Sequence, residues 1–286
     1  MARPLRIEYP GAVYHVTSRG NAGNEIFLDD EDRRNFLVTF RSVVKRYHWI
    51  CHAYCLMDNH YHLLIETPER GLSQGIRGLN GIYTQRFNRK HGRVGYLFQG
   101  RFKAIVVEKE GYLLELCRYV VLNPVRVNRV RRPELWEWSS CAATAGIRRV
   151  PDFLKVDWLL AQFDKERKKA EKGYREFIRG GITEDSPWRN ITGQVFLGSQ
   201  RFVRRLQILL ADSQEIAEIP RVQRYSTRPS LKDLFSRKDC WDKNEMDRRI
   251  HESHVSFGYT LKEIAAHLGI HYTSASRAVK RMEEKK

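Results

Sequence analysis

Met57-Asp58-Asn59-His60-Tyr61-His62-Leu63-Leu64-Ile65-Glu66 is the stretch whose reading decides the fold. Two histidines flank one bulky residue, and an apolar run follows. Successive side chains of a strand point to opposite faces. His60 and His62 therefore share a face, roughly 6.6 Å apart along the strand. Tyr61, Leu63 and Ile65 share the other. One face can be core while the other offers two imidazoles to a single ion, so His60 and His62 are read as metal ligands.

Working outward, Met57-Asp58-Asn59 is a tight turn joining a strand over Trp49–Leu56 to one over His60–Thr67, a hairpin. Ala12–Arg19, rich in Val, Tyr and Thr, is the first strand. Gly20–Asn24 reads as a loop. Asp29–Tyr47 is a helix with acids at its start, Arg41, Lys45 and Arg46 toward its end, and an apolar stripe from Phe36 to Tyr47. A second helix spans Leu72–His91, and a fourth strand Leu97–Val107. A third helix, from Glu110 to Leu122, is expected to stop at Asn123-Pro124, because proline disfavours helix in the residue before it. Tyr119 and Asn123 are four apart on one face of it. A phenol one turn from an amide, brought near the two-histidine strand, suggests a nucleophile (Tyr119) beside a further metal ligand (Asn123).

The order β-α-β-β-α-β-α predicts an α+β fold. It is a split βαβ (ferredoxin- or RRM-like) antiparallel sheet with helices on one face and the other face left for a ligand. Beyond it, Val156–Arg179 reads as a charged helix. Gly180-Gly181 and Asp185-Ser186-Pro187 mark a loop, and Arg201–Leu210 is a short helix. Pro220–Pro229 is a polar, basic linker. Thr260-Leu261-Lys262-Glu263 is a capping box opening a helix that ends at Leu268-Gly269. A second helix from about Thr273 to Met282 completes a helix-turn-helix, with Thr273, Ser274, Ser276, Arg277, Lys280 and Arg281 aimed at a major groove. The expected domains are 1–145, carrying the site, 146–220, a helical extension, and 221–286, the helix-turn-helix.

The chain has 286 residues, 42% hydrophobic, with net charge +17 and a pI near 9.8. Such charge attracts polyanions, nucleic acid first. No apolar run approaches the ~20 residues of a spanning helix, and Met1–Pro10 is too polar and basic for a signal peptide. Five scattered cysteines (Cys51, Cys55, Cys117, Cys141, Cys240) fit a reduced compartment better than a disulfide framework. The expected location is cytoplasmic and nucleoid-associated, with no membrane partner. From Arg70 to Val107 there is no acidic residue, while Arg77, Arg86, Arg89, Lys90, Arg93, Arg101 and Lys103 are interleaved with Tyr83, Phe87, Tyr96, Phe98 and Phe102. Cations neutralise phosphates and aromatic faces stack on unpaired bases, a composition suited to single-stranded or hairpin DNA. Each aromatic taken singly reads as core; it is the acid-free run as a whole that points to nucleic acid.

Asp58-Asn59-His60-Tyr61-His62-Leu63-Leu64-Ile65 resembles the His-hydrophobic-His motif of the HUH single-tyrosine transposases, the IS200-like family. Arg118-Tyr119-Val120-Val121-Leu122-Asn123-Pro124-Val125-Arg126 resembles their tyrosine helix in its REP-associated branch. Val13–Asn21 and Gln99-Gly100-Arg101-Phe102 fit that branch as well. The resemblance covers roughly residues 1–145. Leu197–Phe202 is similar to a segment that often follows, and the C-terminal helix pair more loosely resembles the DNA-binding domain of the replication initiator DnaA. Where relatives often place a histidine two residues after the tyrosine, this chain has Val121.

The resemblance implies a metal-dependent endonuclease and strand transferase that cleaves single-stranded DNA at hairpin-bearing repeats. Tyr119 would form a 5′-phosphotyrosine, and Mg²⁺ or Mn²⁺ on His60, His62 and Asn123 would polarise the phosphate. Arg126, at the end of the tyrosine helix, joins the DNA-binding cations. The helix-turn-helix would add a grip on duplex DNA, and the protein would act as a monomer or homodimer. Two alternatives stay open: a non-catalytic binder or repressor that keeps the fold, and cleavage of RNA hairpins.

Overall fold

The computed structural model describes residues 7–183, 187–192, 195–210, 229–236 and 241–283. The chain forms two compact units, Arg6–Leu206 and Gln207–Lys286. Where the sequence suggested lines after residues 145 and 220, the segment 146–206 groups with the sheet. Most of the expected linker, 220–228, together with Asp185, Ser186 and Cys240, lies outside the described residues.

The first unit is built on β1 (Ala12–Arg19), α1 (Asp30–Arg46), β2 (Ile50–Leu56), β3 (His60–Thr67), α2 (Leu72–Lys90), β4 (Lys103–Val107) and α3 (Lys109–Arg126). The sheet order is β2-β3-β1-β4, extended by two short strands, β6 (Phe196–Leu197) and β5 (Ile191–Thr192). The four main strands pair antiparallel, whereas β6 joins β4 in parallel, so the sheet is mixed. The predicted hairpin is present, with His62 opposite Cys55 and Tyr61 opposite Leu56.

Local chemistry explains these elements. Asp29 caps α1 in a reciprocal box, its carboxylate accepting from Asp32 N–H at 2.9 Å while Asp32 accepts from Asp29 N–H at 3.3 Å. α2 begins at Gly71, which has no side chain to cap with. Glu8 caps it from a distance, accepting from the N–H groups of Gly71 at 3.2 Å and Ser73 at 3.0 Å. Tyr61 packs on Phe36 of α1 and donates to Asn80 of α2 at 2.8 Å, so these two helices cover the Tyr61 face. Leu63, Ile65, Ile76, Leu79, Phe36 and Phe40 are all sealed from solvent. The opposite face, expected to be left for a ligand, also carries α3, which brings Tyr119 over the histidines.

Three expectations need correction. β4 begins at Lys103, not Leu97, because Gly100 adopts φ +64° and turns the chain, leaving Phe98 only a lone bridge to Gly20. The helix expected over Val156–Arg179 is two, α5 (Asp157–Leu160) and α6 (Arg167–Gly180), separated where Asp164 accepts from Glu166 N–H. Finally, α3 does not stop at Asn123 but runs through Pro124 to Arg126. Proline removes a donor that a helix interior needs. Asn123 supplies a substitute: its side-chain nitrogen donates to the carbonyls of Tyr119 at 2.9 Å and Val120 at 3.2 Å. Past this lie α4 (Cys141–Thr144) and, among the described residues, α7 (Gln200–Leu210). The four described cysteines are buried thiols.

The second unit holds a short α8 (Leu231–Leu234), then α9 (Lys243–Val255), α10 (Leu261–Leu268) and α11 (Tyr272–Glu283). Thr260 and Glu263 form the predicted capping box, and Gly269 ends α10 at φ +67°. Ile250, Ile264, Ala265, Ala275, Ala278 and Val279 form its core, with Phe235 and Tyr259. Among the described residues, no helix is long and apolar enough to cross a membrane.

Candidate active site

Strand register sets the histidine face. Arg19 pairs with His60, Thr17 with His62 and His15 with Leu64 across β1 and β3, and Lys103 pairs with Thr17 across β4 and β1. Directly opposed side chains share a face. His15, Thr17, Arg19, His60, His62 and Lys103 therefore line one surface.

The three imidazoles form a chain. His15 Nε2 lies 2.9 Å from His62 Nδ1, and His62 Nε2 lies 3.0 Å from His60 Nε2. His60 Nδ1 is 2.7 Å from Asn59 Oδ1, while Asn59 Nδ2 donates to the Gly23 carbonyl at 3.1 Å. That second bond fixes the amide with its oxygen toward the ring. His60 therefore carries its proton on Nδ1 and presents a lone pair at Nε2. With that tautomer, His62 donates to His60 and His15 donates to His62. This leaves His15 Nδ1 buried without a hydrogen-bond partner.

All three rings resist protonation. Burial pushes His15 down to about 3, the charge of His60 adding to it. Burial drives His62 well below the ordinary histidine range, with His15 and His60 adding. His60 is lowered by burial first and Arg19 second, against an opposing pull from Asp58. Neutral imidazoles are ligands, and the geometry fits an ion. Two nitrogens 3.0 Å apart span the edge of an octahedron whose bonds are about 2.1 Å long. An ion there would need lone pairs on both Nε2 atoms. The His62 proton would move to Nδ1 and be donated to His15 Nε2, and the His15 proton would move to the orphaned Nδ1. The partnerless nitrogen is thus the terminus that a tautomer shift requires, with no net proton released.

Tyr119 is half-buried and meets this chain edge-on. Its ring centroid lies 6.3 Å from that of His62 at 83° and 6.5 Å from that of His15 at 87°. Trp188 leans on both, 5.2 Å from Tyr119 and 4.8 Å from His15. The Arg126 guanidinium stacks over the Tyr119 ring at 4.5 Å and donates to the Tyr119 carbonyl at 3.3 Å. Asn123, one turn on, has its side-chain nitrogen committed to the helix, so only Oδ1 is left to face an ion.

The remaining predicted cations divide. Arg77, Arg89, Arg101 and Lys103 are exposed, and Arg86 donates to Thr39 at 3.0 Å. Lys90 instead sits among carboxylates, 2.7 Å from Asp29, 2.9 Å from Glu31 and 3.1 Å from Asp32. Asp29, Asp32 and His91 bring ligand atoms within 4.8 Å of one another. The Lys90 ammonium and the α1 cap already use these oxygens, so the cluster is a closed helix start. Of the interleaved aromatics, Tyr83, Phe87, Phe98 and Phe102 are core and Tyr96 is exposed. In the second unit Thr273, Ser274, Arg277 and Lys280 are exposed on α11, whereas Arg281 makes a two-pronged pair with the buried Asp247 at 2.6 and 2.7 Å.

His15, Arg19, Asn59 and Trp188 are not among the site residues expected from the sequence. The signal for His15 and Arg19 was their alternation with Tyr14, Val16 and Ser18 along β1, which puts them on one face with Thr17. Asn59 adjoins the motif. Trp188 stands 69 positions after Tyr119 and nothing local marks it.

Residues 9–123 match the family model described as "Transposase IS200 like". A structure of the REP-associated tyrosine transposase bound to a REP hairpin is similar at 17% identity and TM-score 0.44, over 55% of this chain and 91% of that one. A Deinococcus radiodurans R1 protein described as a transposase is similar at 16% identity and TM-score 0.30, over 42% of this chain and 94% of that one. Likenesses at these values carry no argument about chemistry. No curated protein matches the chain.

Proposed function

Residues 9–123 form a domain of the IS200-like transposase family, and from that premise we propose that the protein nicks and rejoins single-stranded DNA at hairpin-bearing repeats, with Tyr119 as nucleophile. One observation carries the reading. The Tyr119 ring stands 6.3 Å from His62, whose Nε2 faces that of His60 at 3.0 Å.

The Tyr119 hydroxyl gives its proton to water as its oxygen bonds to phosphorus, and the 3′ oxygen leaves with the bonding pair and takes a proton from water, so no net proton is gained or lost. The products are a 5′-phosphotyrosine and a free 3′-hydroxyl. A second 3′-hydroxyl reverses the step, so the bond energy is conserved. His60 and His62 would hold Mg²⁺ or Mn²⁺ with Asn123 Oδ1, and the ion, when bound, supplies charge that polarises the scissile phosphate. A neutral ligand set leaves that charge undiminished. Asn59 keeps the His60 lone pair turned outward, as partners behind a ligand do. Arg126 clamps the nucleophile and carries positive charge to where the phosphate must come, and Arg19 and Lys103 flank the histidines on the same face. Arg77, Arg86, Arg89 and Arg101 would track the strand's phosphates. In the second unit Thr273, Ser274, Arg277 and Lys280 would meet duplex DNA.

A 3′-labelled hairpin-bearing single strand with Mg²⁺ or Mn²⁺ tests the proposal. The expected product is an SDS-resistant protein–DNA adduct that Tyr119→Phe abolishes. Tight binding without any adduct, even at high Mn²⁺, would identify a binder or repressor instead. Excess RNA of equal sequence that suppresses the adduct would move the substrate class to RNA.

A further inference from the structure

The segment between α2 and β4 turns outward at a tip of unusual character. Val94 is 97% exposed and Tyr96 is 88% exposed, with Gly95 between them at φ +92°. Single exposed apolar residues are ordinary, but this pair is held out by a braced loop. Asn88 donates from its side chain to the Gly95 carbonyl at 3.0 Å and accepts from Arg93 N–H at its own carbonyl at 2.9 Å. The Arg93 guanidinium lies over the buried Phe87 ring. On the return limb, Leu97 and Phe98 are buried, which anchors the chain immediately after Tyr96. A large ring on a fixed backbone gives contact area at little entropic cost.

Its position matters as much as its exposure. Leu97 accepts from Asn21 N–H at 2.9 Å, Gln99 N–H donates to Arg19 at 2.8 Å, and Gly20 N–H donates to Asn59 at 2.8 Å. The root of the tip is therefore stitched to the end of β1 where Arg19 pairs with His60. The surroundings are cationic: Arg93 adjoins the tip, Arg101 lies on the return limb, and residues 70–107 contain no acid. The carboxylates bonded near the root, Asp29 and Asp32, are held by Lys90 and His91.

We propose that Val94 and Tyr96 form a stacking platform for an unpaired nucleobase, on the strand whose phosphates meet Arg19, Arg93 and Arg101. The occupant is single-stranded nucleic acid because the tip combines an aromatic face with cations at its flanks, the pairing that unpaired bases require. The inference rests on the DNA reading above and adds a subsite outside the histidine face.

The test uses the full chain and two fluorescein-labelled probes, a mixed-sequence 20-nucleotide single strand and its blunt duplex, followed by anisotropy. Tyr96→Ala is expected to weaken single-strand binding roughly 5- to 100-fold, the worth of one base stacked on an aromatic ring. Duplex binding should be unchanged, and Tyr96→Phe should restore single-strand affinity because a stacking face remains. The thermal midpoint should not move, since the side chain is exposed. Equal single-strand binding by wild type and Tyr96→Ala overturns the inference while the DNA reading stands. So does an unchanged affinity joined to a changed oligomeric state by light scattering, which would give the tip to a second copy of the chain. Failure of the wild type to bind either probe overturns both.

Discussion

Acid should loosen the sheet unit through its histidine chain, and His15 gives the size of the effect. Its pKa is about 3 in the fold and about 6.5 in an unfolded chain. Above pH 6.5 both states are neutral and His15 has no influence on stability. Between pH 6.5 and 3 the unfolded chain binds a proton that the fold refuses, so stability falls as pH falls; below 3 the loss is complete. Integrating this difference from pH 7 to pH 5 gives about 2 kcal/mol for His15 alone. His62, also depressed, adds a loss of the same sign. His15→Gln keeps an amide able to donate to His62 but nothing that titrates, so the variant should lose about 2 kcal/mol less than wild type over that range. Urea unfolding of the full chain in chelator, at pH 7, 6 and 5, reads the difference. Tryptophan fluorescence reports the correct unit, because Trp49, Trp136, Trp138, Trp158 and Trp188, five of the six tryptophans, lie within Arg6–Leu206. Parallel pH profiles for wild type and variant would refute the argument, since they would mean that His15 is protonated as readily in the fold as outside it.

Other consequences follow from single contacts. A Cβ at Gly75 would lie 2.2 and 2.4 Å from carbons of the Trp49 ring, so Gly75→Ala should destabilise the first unit by about 1–3 kcal/mol in a urea titration. Arg281→Ala strands the buried Asp247 carboxylate and should lower the thermal midpoint of the second unit by calorimetry. Arg277→Ala, which removes an exposed cation, should weaken duplex binding with no calorimetric change. The log–log salt dependence of single-strand binding should flatten by about 0.7 on Arg101→Gln and stay unchanged on Lys90→Gln, whose ammonium is held by Asp29, Glu31 and Asp32; equal slopes for the two variants would show that exposure does not sort these cations.

Local pattern carried most of the first unit. β1 and β3 run over the expected residues because alternation and flanking turns fix a strand within its own sequence, and α1 because its acids cap it. That His60 and His62 share one face was likewise legible from spacing. What failed was non-local or compensated locally. Pro124 signals a helix stop, and only the Asn123 side chain, turned back onto the Tyr119 and Val120 carbonyls, lets α3 continue. Strands β5 and β6 are two residues each, too short to leave any periodicity. Trp188 reaches Tyr119 through a connection no spacing rule covers. The interleaved aromatics divide for a different reason. Apolar residues at helical spacing along α2, such as Tyr83 and Phe87, serve the core first, and only the loop ring at Tyr96 stays outside.

The charge excess and the histidine motif looked like separate clues to a polyanion partner, yet they are mechanically linked. Asp58, two residues before His60, is gripped on one oxygen by Arg33 at 2.6 Å and on the other by Arg129. Arg33 is itself buried between Phe27, Trp136 and Trp138. The Asp58 carbonyl accepts from Ile26 and Phe27, and the next residue, Asn59, sets the His60 tautomer. Part of the positive charge thus holds the turn that presents a ligand and is not available to any phosphate. Arg33, Lys90, Arg129 and Arg281 belong to this inward group. Net charge suggests the kind of partner, while the hydrogen bonds of each guanidinium and ammonium decide which cations could reach it. By that criterion the cations left for the proposed DNA partner are the exposed ones beside the histidine face, on α2 and at the tip, with Arg277 on α11.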